Sequence, residues 1–229
     1  MSSYKTYKLL SLLLSYPENI WLKELDKIKY LLNKENVFSN NILLKLNTFI
    51  DELKQQQELD LQTKYVELFD QTPSLSLHLF EHILGDSKER GLALSDLSEL
   101  YQSHGFILQK NELPDYLPVF LEFLGELHHN QAKQYLTDIV KVINLLGFRL
   151  NKLKVSYSNI FIALLNLLDK KIEVVIEEKP PKSIDEAWNE PEINFLKPTF
   201  NSFNGCMSNL KNSGELLSKF SNKEKKVYE

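Results

Sequence analysis

The stretch Asn41-Ile42-Leu43-Leu44-Lys45-Leu46-Asn47-Thr48-Phe49-Ile50-Asp51-Glu52-Leu53 decides the fold class. Its apolar residues Ile42, Leu46, Phe49 and Leu53 return every three or four positions. An α-helix turns once per 3.6 residues, so this spacing stacks the four on one face and leaves the polar residues on the other. The pattern continues upstream in Leu22, Leu25, Ile28 and Leu32, and downstream in Leu61, Tyr65, Leu68 and Phe69. Over residues 88–104 it places Leu97, Leu100, Tyr101 and His104 together, with Gly105 as a helix C-cap. Leu136, Ile139, Val140, Ile143 and Leu146 predict one long helix over 131–151, with a weak point at Gly147. A last helix, Asn159 to Leu168, is apolar almost all round and therefore central. The strand-like run Ile172-Glu173-Val174-Val175-Ile176-Glu177 has no partner strand, so it reads as extended linker or a continuation of helix.

Composition supports this class. Only 7 of 229 residues are glycine, so few tight turns are available for a many-stranded fold. The net charge of −4 supplies no basic field for nucleic acid or anionic lipid. The apolar run Leu9 to Leu14 is about half a membrane span and ends in Tyr16-Pro17-Glu18 instead of a small-residue cleavage site. It reads as a buried first helix of a cytoplasmic protein that does not insert into membranes. Charge shifts late in the chain: residues 171–195 carry three lysines against seven carboxylates, and residues 196–229 six lysines against three glutamates. The expected organisation is all-α, a single-domain helical bundle over 1–170, with an acidic connector over 171–195 and a flexible tail over 196–229.

Catalytic constellations are scarce. His78 and His82 stand at i, i+4 spacing, which puts two imidazoles on one face of a helix, but the zincin order HExxH is absent and no ligand set completes a shell. The adjacent His128 and His129 point about 100° apart on a helix and make poor joint ligands. Cys206, the one cysteine, rules out an internal disulfide and has no histidine near it in sequence. No glycine-rich phosphate loop occurs, and pairs such as Asp51-Glu52 and Glu177-Glu178 sit in polar, solvated contexts. The expectation is a protein with no catalysis, metal or cofactor of its own.

Two stretches are denser than helix filler. One runs from Tyr65-Val66-Glu67-Leu68-Phe69-Asp70 through Ser74-Leu75-Ser76-Leu77-His78-Leu79-Phe80-Glu81-His82, interrupted by Pro73 and closed by Gly85. The other is Glu112-Leu113-Pro114-Asp115-Tyr116-Leu117-Pro118. Pro114 fixes its own φ and drives Leu113 out of the helical region, and Asp115 is placed to cap the helix heading toward Val119, Phe120 and Leu121.

These residues carry a family resemblance. YVELFDQTPSLSLHLFEHILGDSKERG followed by ELPDYLPVFLEFL resembles the nitrate reductase molybdenum cofactor assembly chaperones of NarJ type, within the TorD/DmsD group of redox-enzyme maturation proteins. LLSLLLSYPENIW resembles the family's first helix, and AWNEPEINF (187–195) its acidic, tryptophan-containing stretch, so the likeness spans roughly residues 7–195. In the wider group's Glu-x-Pro-Asp-His signature, Glu112, Pro114 and Asp115 match and Tyr116 replaces histidine. A packing or hydrogen-bonding role can survive that change, whereas titration near neutral pH cannot.

The resemblance implies an all-helical, non-catalytic chaperone. Its partner would be the N-terminal segment of the nitrate reductase α (catalytic) subunit, held in the cytoplasm until cofactor and clusters are in place, with contacts to cofactor-delivery proteins. A groove for an amphipathic partner helix would take its walls from Tyr65, Leu68, Phe69, Phe80, Tyr116 and Leu117 beside Pro114. Its charged rim would come from Glu67, Glu81, Glu112 and Asp115. The connector and tail would fold over this groove. The alternatives are a maturation chaperone for a dimethyl-sulfoxide or trimethylamine-oxide reductase, a helical adaptor, or a small hydrolase.

Overall fold

In a computed structural model describing residues 4–85, 87–109 and 112–175, the periodic stretches become helices, and the sole β pairing among the described residues is one isolated bridge. The helices in chain order are α1 (Tyr4–Leu14), α2 (Asn19–Leu22), α3 (Leu25–Glu35), α4 (Asn40–Lys54), α5 (Glu58–Tyr65), α6 (Leu79–Ile83), α7 (Glu89–Ser103), α8 (Leu117–Leu124), α9 (His129–Asp138), α10 (Val140–Lys152) and α11 (Ser158–Asn166). A π-turn, Val66–Asp70, extends α5, and a 3₁₀ turn covers Pro73–Leu75. The chain is all-α.

The core follows from which helices are apolar beyond one stripe. In α8, Leu117, Val119, Phe120, Leu121, Phe123 and Leu124 are all buried and Glu122 alone is exposed, so the helix is covered over most of its circumference. It lies against α1, whose Leu10, Leu13 and Leu14 are fully buried, and Ser11 Oγ donates 2.6 Å to the Pro118 carbonyl between them. α11 packs against α10, α4 and α1, and α3 closes on α4 and α1. Each large side chain buried in this way contributes about 1.5–3 kcal/mol. No described helix is long and apolar enough to cross a membrane.

Several boundaries differ from the periodic reading. The helix expected over 131–151 breaks at Ile139 (φ −98°, ψ 7°), not at Gly147, which continues inside α10. Gly147 is a packing device there: a Cβ would stand 3.0 Å from the Phe161 Cβ, so its absence lets α10 and α11 close together. The helix carrying Leu61, Tyr65, Leu68 and Phe69 widens at Val66, where the Gln71 N–H bonds back five residues to the Val66 carbonyl at 2.9 Å. Gly105 ends α7 at φ +74°, the left-handed position expected of it. Residues 171–175 form neither helix nor strand. The rest of the acidic connector and the whole 196–229 tail lie outside the described residues.

Candidate functional site at the junction of the two motifs

Thirty-odd residues apart in the chain, the two dense motifs meet in space. His78 and Tyr116 pair as an isolated antiparallel bridge: the Leu117 N–H donates to the Leu77 carbonyl, and the Leu79 N–H to the Asp115 carbonyl, both at 2.9 Å. The proline-bounded turn is held further by Tyr101, whose hydroxyl donates 2.7 Å to the Pro114 carbonyl.

Asp115 explains why the corner is rigid. Its side chain is fully buried, and Oδ2 accepts the Phe80 N–H at 3.2 Å. That N–H is one of the unsatisfied donors of the first turn of α6, so Asp115 caps α6 from across the junction. The expectation that it caps α8 is therefore corrected: Tyr116 is the N-cap residue of α8, with no side-chain cap bond. Oδ1 accepts from His78 Nδ1 at 3.1 Å, which places the imidazole proton on Nδ1 because a carboxylate can only accept. Arg90 approaches Oδ2 to 4.0 Å and bonds Glu81 Oε1 at 3.1 Å.

The histidine geometry also departs from the sequence reading. His78 is extended (ψ 110°) ahead of α6, so it does not share a helical face with His82. Nε2 of His82 donates instead to the Ser76 carbonyl at 2.7 Å, and burial lowers its pKa. Among the described residues no group of three His, Cys, Asp or Glu side chains is arranged to hold a metal ion.

Tyr116 keeps a ring and a polar tip at the signature's histidine position. Its ring lies 5.4 Å from the His78 ring, and its hydroxyl is 2.6 Å from that of Tyr65. The Tyr65 proton is committed to the Leu14 carbonyl at 2.7 Å, so Tyr116 is the donor of the pair. Burial pushes the Tyr116 hydroxyl up to about 12 and that of Tyr65 higher still, so neither titrates under physiological conditions. The chain Tyr116–Tyr65–Leu14 thus ties the corner to the C-terminal end of α1.

Two clefts flank the π-turn. The first, about 570 Å³, is lined by Phe69, Asp70, Pro73, Ser76, His78, Glu81, Gly85 and Arg90. The second, about 440 Å³, has Phe49, Leu53, Leu61, Leu68 and Tyr157 among its lining, with Glu52, Glu67, Lys64 and Lys154 also contributing. The wide turn sends Phe69 and Asp70 to one side and Glu67 and Leu68 to the other.

The expected groove residues separate accordingly. Phe69, Glu81, Glu67 and Leu68 line clefts, Glu112 is exposed, and Tyr116 is half-buried. Tyr65, Phe80, Pro114, Asp115 and Leu117 are interior and shape the corner without forming an open wall or rim. The physical reason is that the bridge turns these side chains inward, where Tyr65 packs 4.9 Å from Phe69 and Asp115 serves the α6 amides. Sequence reasoning missed Asp70, His78 and Arg90 as cleft residues. Alternation around Leu77, His78 and Leu79 was the available signal for His78, since it marks an extended residue between two buried ones.

Comparison with known proteins bears on most of the chain. The family model described as nitrate reductase delta subunit matches residues 38–164. The nitrate reductase molybdenum cofactor assembly chaperone NarJ of Escherichia coli K12 is 34% identical over 198 residues, covering 82% of this chain and 84% of that protein. NarW of the same strain, a candidate chaperone of the same description, is 31% identical, with 83% of each chain covered. In structure, a candidate redox enzyme maturation protein from Archaeoglobus fulgidus superposes with a TM-score of 0.54 at 23% identity, over 73% of this chain and 94% of that one, which shows a shared fold.

Proposed function

The chain belongs to the nitrate reductase delta subunit family, whose curated relatives are NarJ-type molybdenum cofactor assembly chaperones, and on that premise we propose that it is the dedicated chaperone of a nitrate reductase catalytic subunit. It would bind that subunit's N-terminal segment in the cytoplasm and hold the apoenzyme open to cofactor insertion, performing no chemistry itself. The observation that carries this reading is the bridge between the two motifs, which builds a rigid corner beside two clefts each roomy enough for several side chains.

The physics of such binding is simple. A short amphipathic helix in water is marginal on its own, so a partner segment gains by folding against apolar surface. Pro73 offers that surface at the first cleft, with Phe69 buried at its floor, and half-buried Leu68 offers it in the second, while Asp70 and Glu67 stand exposed at the edges to meet basic groups. Because the corner is held by backbone bonds, little of it needs ordering on binding, which keeps the entropic cost of association low.

Calorimetric titration of a synthetic N-terminal peptide of the catalytic subunit tests the reading. The parent chain binds, and Asp70→Lys, an exposed change that spares the fold, weakens binding about tenfold. Phe69→Ala weakens it further. Unchanged affinity in both variants removes the first cleft from the account.

A further inference from the structure

Beyond α11 the chain does not simply leave the domain. The Glu173 N–H donates to Asn144 Oδ1 of α10 at 2.7 Å, and Asn144 Nδ2 donates back to the Glu173 carbonyl at 3.3 Å. A side-chain amide placed in this way reads the main chain as a neighbouring strand would, whatever side chain the bound residue carries. One residue earlier, Ile172 sits in a notch that exists because position 147 is glycine. A Cβ there would stand 3.3 Å from Ile172 Cδ1 and 3.0 Å from Phe161 Cβ.

The hold is light. Ile172 is half-buried, while Lys171, Glu173 and Val174 are exposed, Val174 at 82%. Two exposed hydrogen bonds and one aliphatic side chain make a grip that another chain of the same chemistry can replace. The same helix reaches the first cleft, since Arg149 donates 2.7 Å to the Ser74 carbonyl beside Pro73.

We propose that the α10–α11 notch at Asn144 and Gly147 is an exchangeable docking site for an extended polypeptide segment bearing a branched aliphatic side chain, which residues 171–175 fill in the resting chain. What displaces them is an extended polypeptide segment of the same chemistry as residues 171–175. It satisfies the Asn144 amide through its backbone and the notch through one Ile- or Val-like side chain.

The test uses the full chain, labelled with ¹⁵N, and follows amide exchange at Glu173 by NMR. Protection is expected in the parent and lost in Asn144→Leu and in Ile172→Asp, neither of which touches a cleft. Excess unlabelled peptide with the sequence of residues 169–177 should then accelerate exchange at Glu173, and the same peptide carrying aspartate at the Ile172 position should not. An unprotected Glu173 amide in the parent overturns the proposal, because the segment is then not held. Protection that excess peptide leaves unchanged also overturns it, because the segment is then a permanent brace. Either result leaves the calorimetric test of the clefts standing.

Discussion

Replacing Asp115 with alanine separates a residue that builds the corner from one that touches the partner. The substitution removes the carboxylate oxygen to which the Phe80 N–H donates in a buried site, which costs about 1–3 kcal/mol. It also removes the acceptor for His78 Nδ1. That second loss is smaller, because the His78 side chain is 30% exposed and water can take over. The Leu79 N–H bond to the Asp115 carbonyl is a backbone bond and survives. The sum is about 3 kcal/mol, which for a domain of this size corresponds to a fall in Tm of about 6–12 °C. In urea the midpoint falls by about 1–2 M. Asp115→Asn keeps one oxygen for the Phe80 N–H but turns an NH₂ toward His78, so the imidazole must shift its proton to the other nitrogen, and the cost is nearer 1 kcal/mol. Urea denaturation read by circular dichroism gives both numbers, with peptide calorimetry on whatever fraction remains folded. An alanine variant within about 0.5 kcal/mol of the parent refutes the capping role. So does a variant that keeps its stability and loses only the peptide.

Other outcomes follow from the same geometry. Tyr116→Phe removes the donor to Tyr65 but leaves Tyr65 bonded to Leu14, so unfolding experiments should show a loss of only about 1 kcal/mol and no change with pH between 6 and 8. Asp138, at the last residue of α9, has its carboxyl raised by burial from 3.8 to about 6. A raised pKa means the fold holds the proton more tightly than the unfolded chain, so this contribution is present below pH 3.8 and lost as pH rises to about 6. Asp138→Asn should therefore stabilise the protein at pH 7 by about 1 kcal/mol, a value discounted because the group is roughly half exposed. The gain should vanish near pH 4, and thermal melts at the two pH values decide it. His82 runs the other way: its lowered pKa makes stability fall as pH drops below 6.5, and His82→Gln, which keeps a donor for Ser76, should flatten that slope.

Most of the helices were legible because their apolar residues follow one period. Ile42, Leu46, Phe49 and Leu53 are all buried on α4, and the near-continuous apolar character of 159–168 does mark a central helix. What misled was assigning breaks from residue type alone. Gly147 marks a close approach between helices, a tertiary fact with no local signature, whereas the real break at Ile139 involves a buried residue that looks like any other core position. The resemblance placed the two motifs in one groove, but the way in which they meet was not legible. The resemblance suggested Phe80 and Leu117 as groove walls and Asp115 as part of the rim, and the pairing of distant segments buries all three. The charge of Asp115 suggested solvent; the amides of α6 supplied a different use for it.

The wide turn at Val66–Asp70 contains one residue more than a regular helix would need to cover the same rise. Deleting a single residue from it would let the helix run on in ordinary register and rotate everything after the deletion by about 100°. Phe69 and Asp70 would then swing away from His78 and Glu81 while the residues before the deletion kept their places. In this region the spacing between side chains carries as much information as their identity. A homologue with every residue type preserved but one position missing would present a different surface to its client.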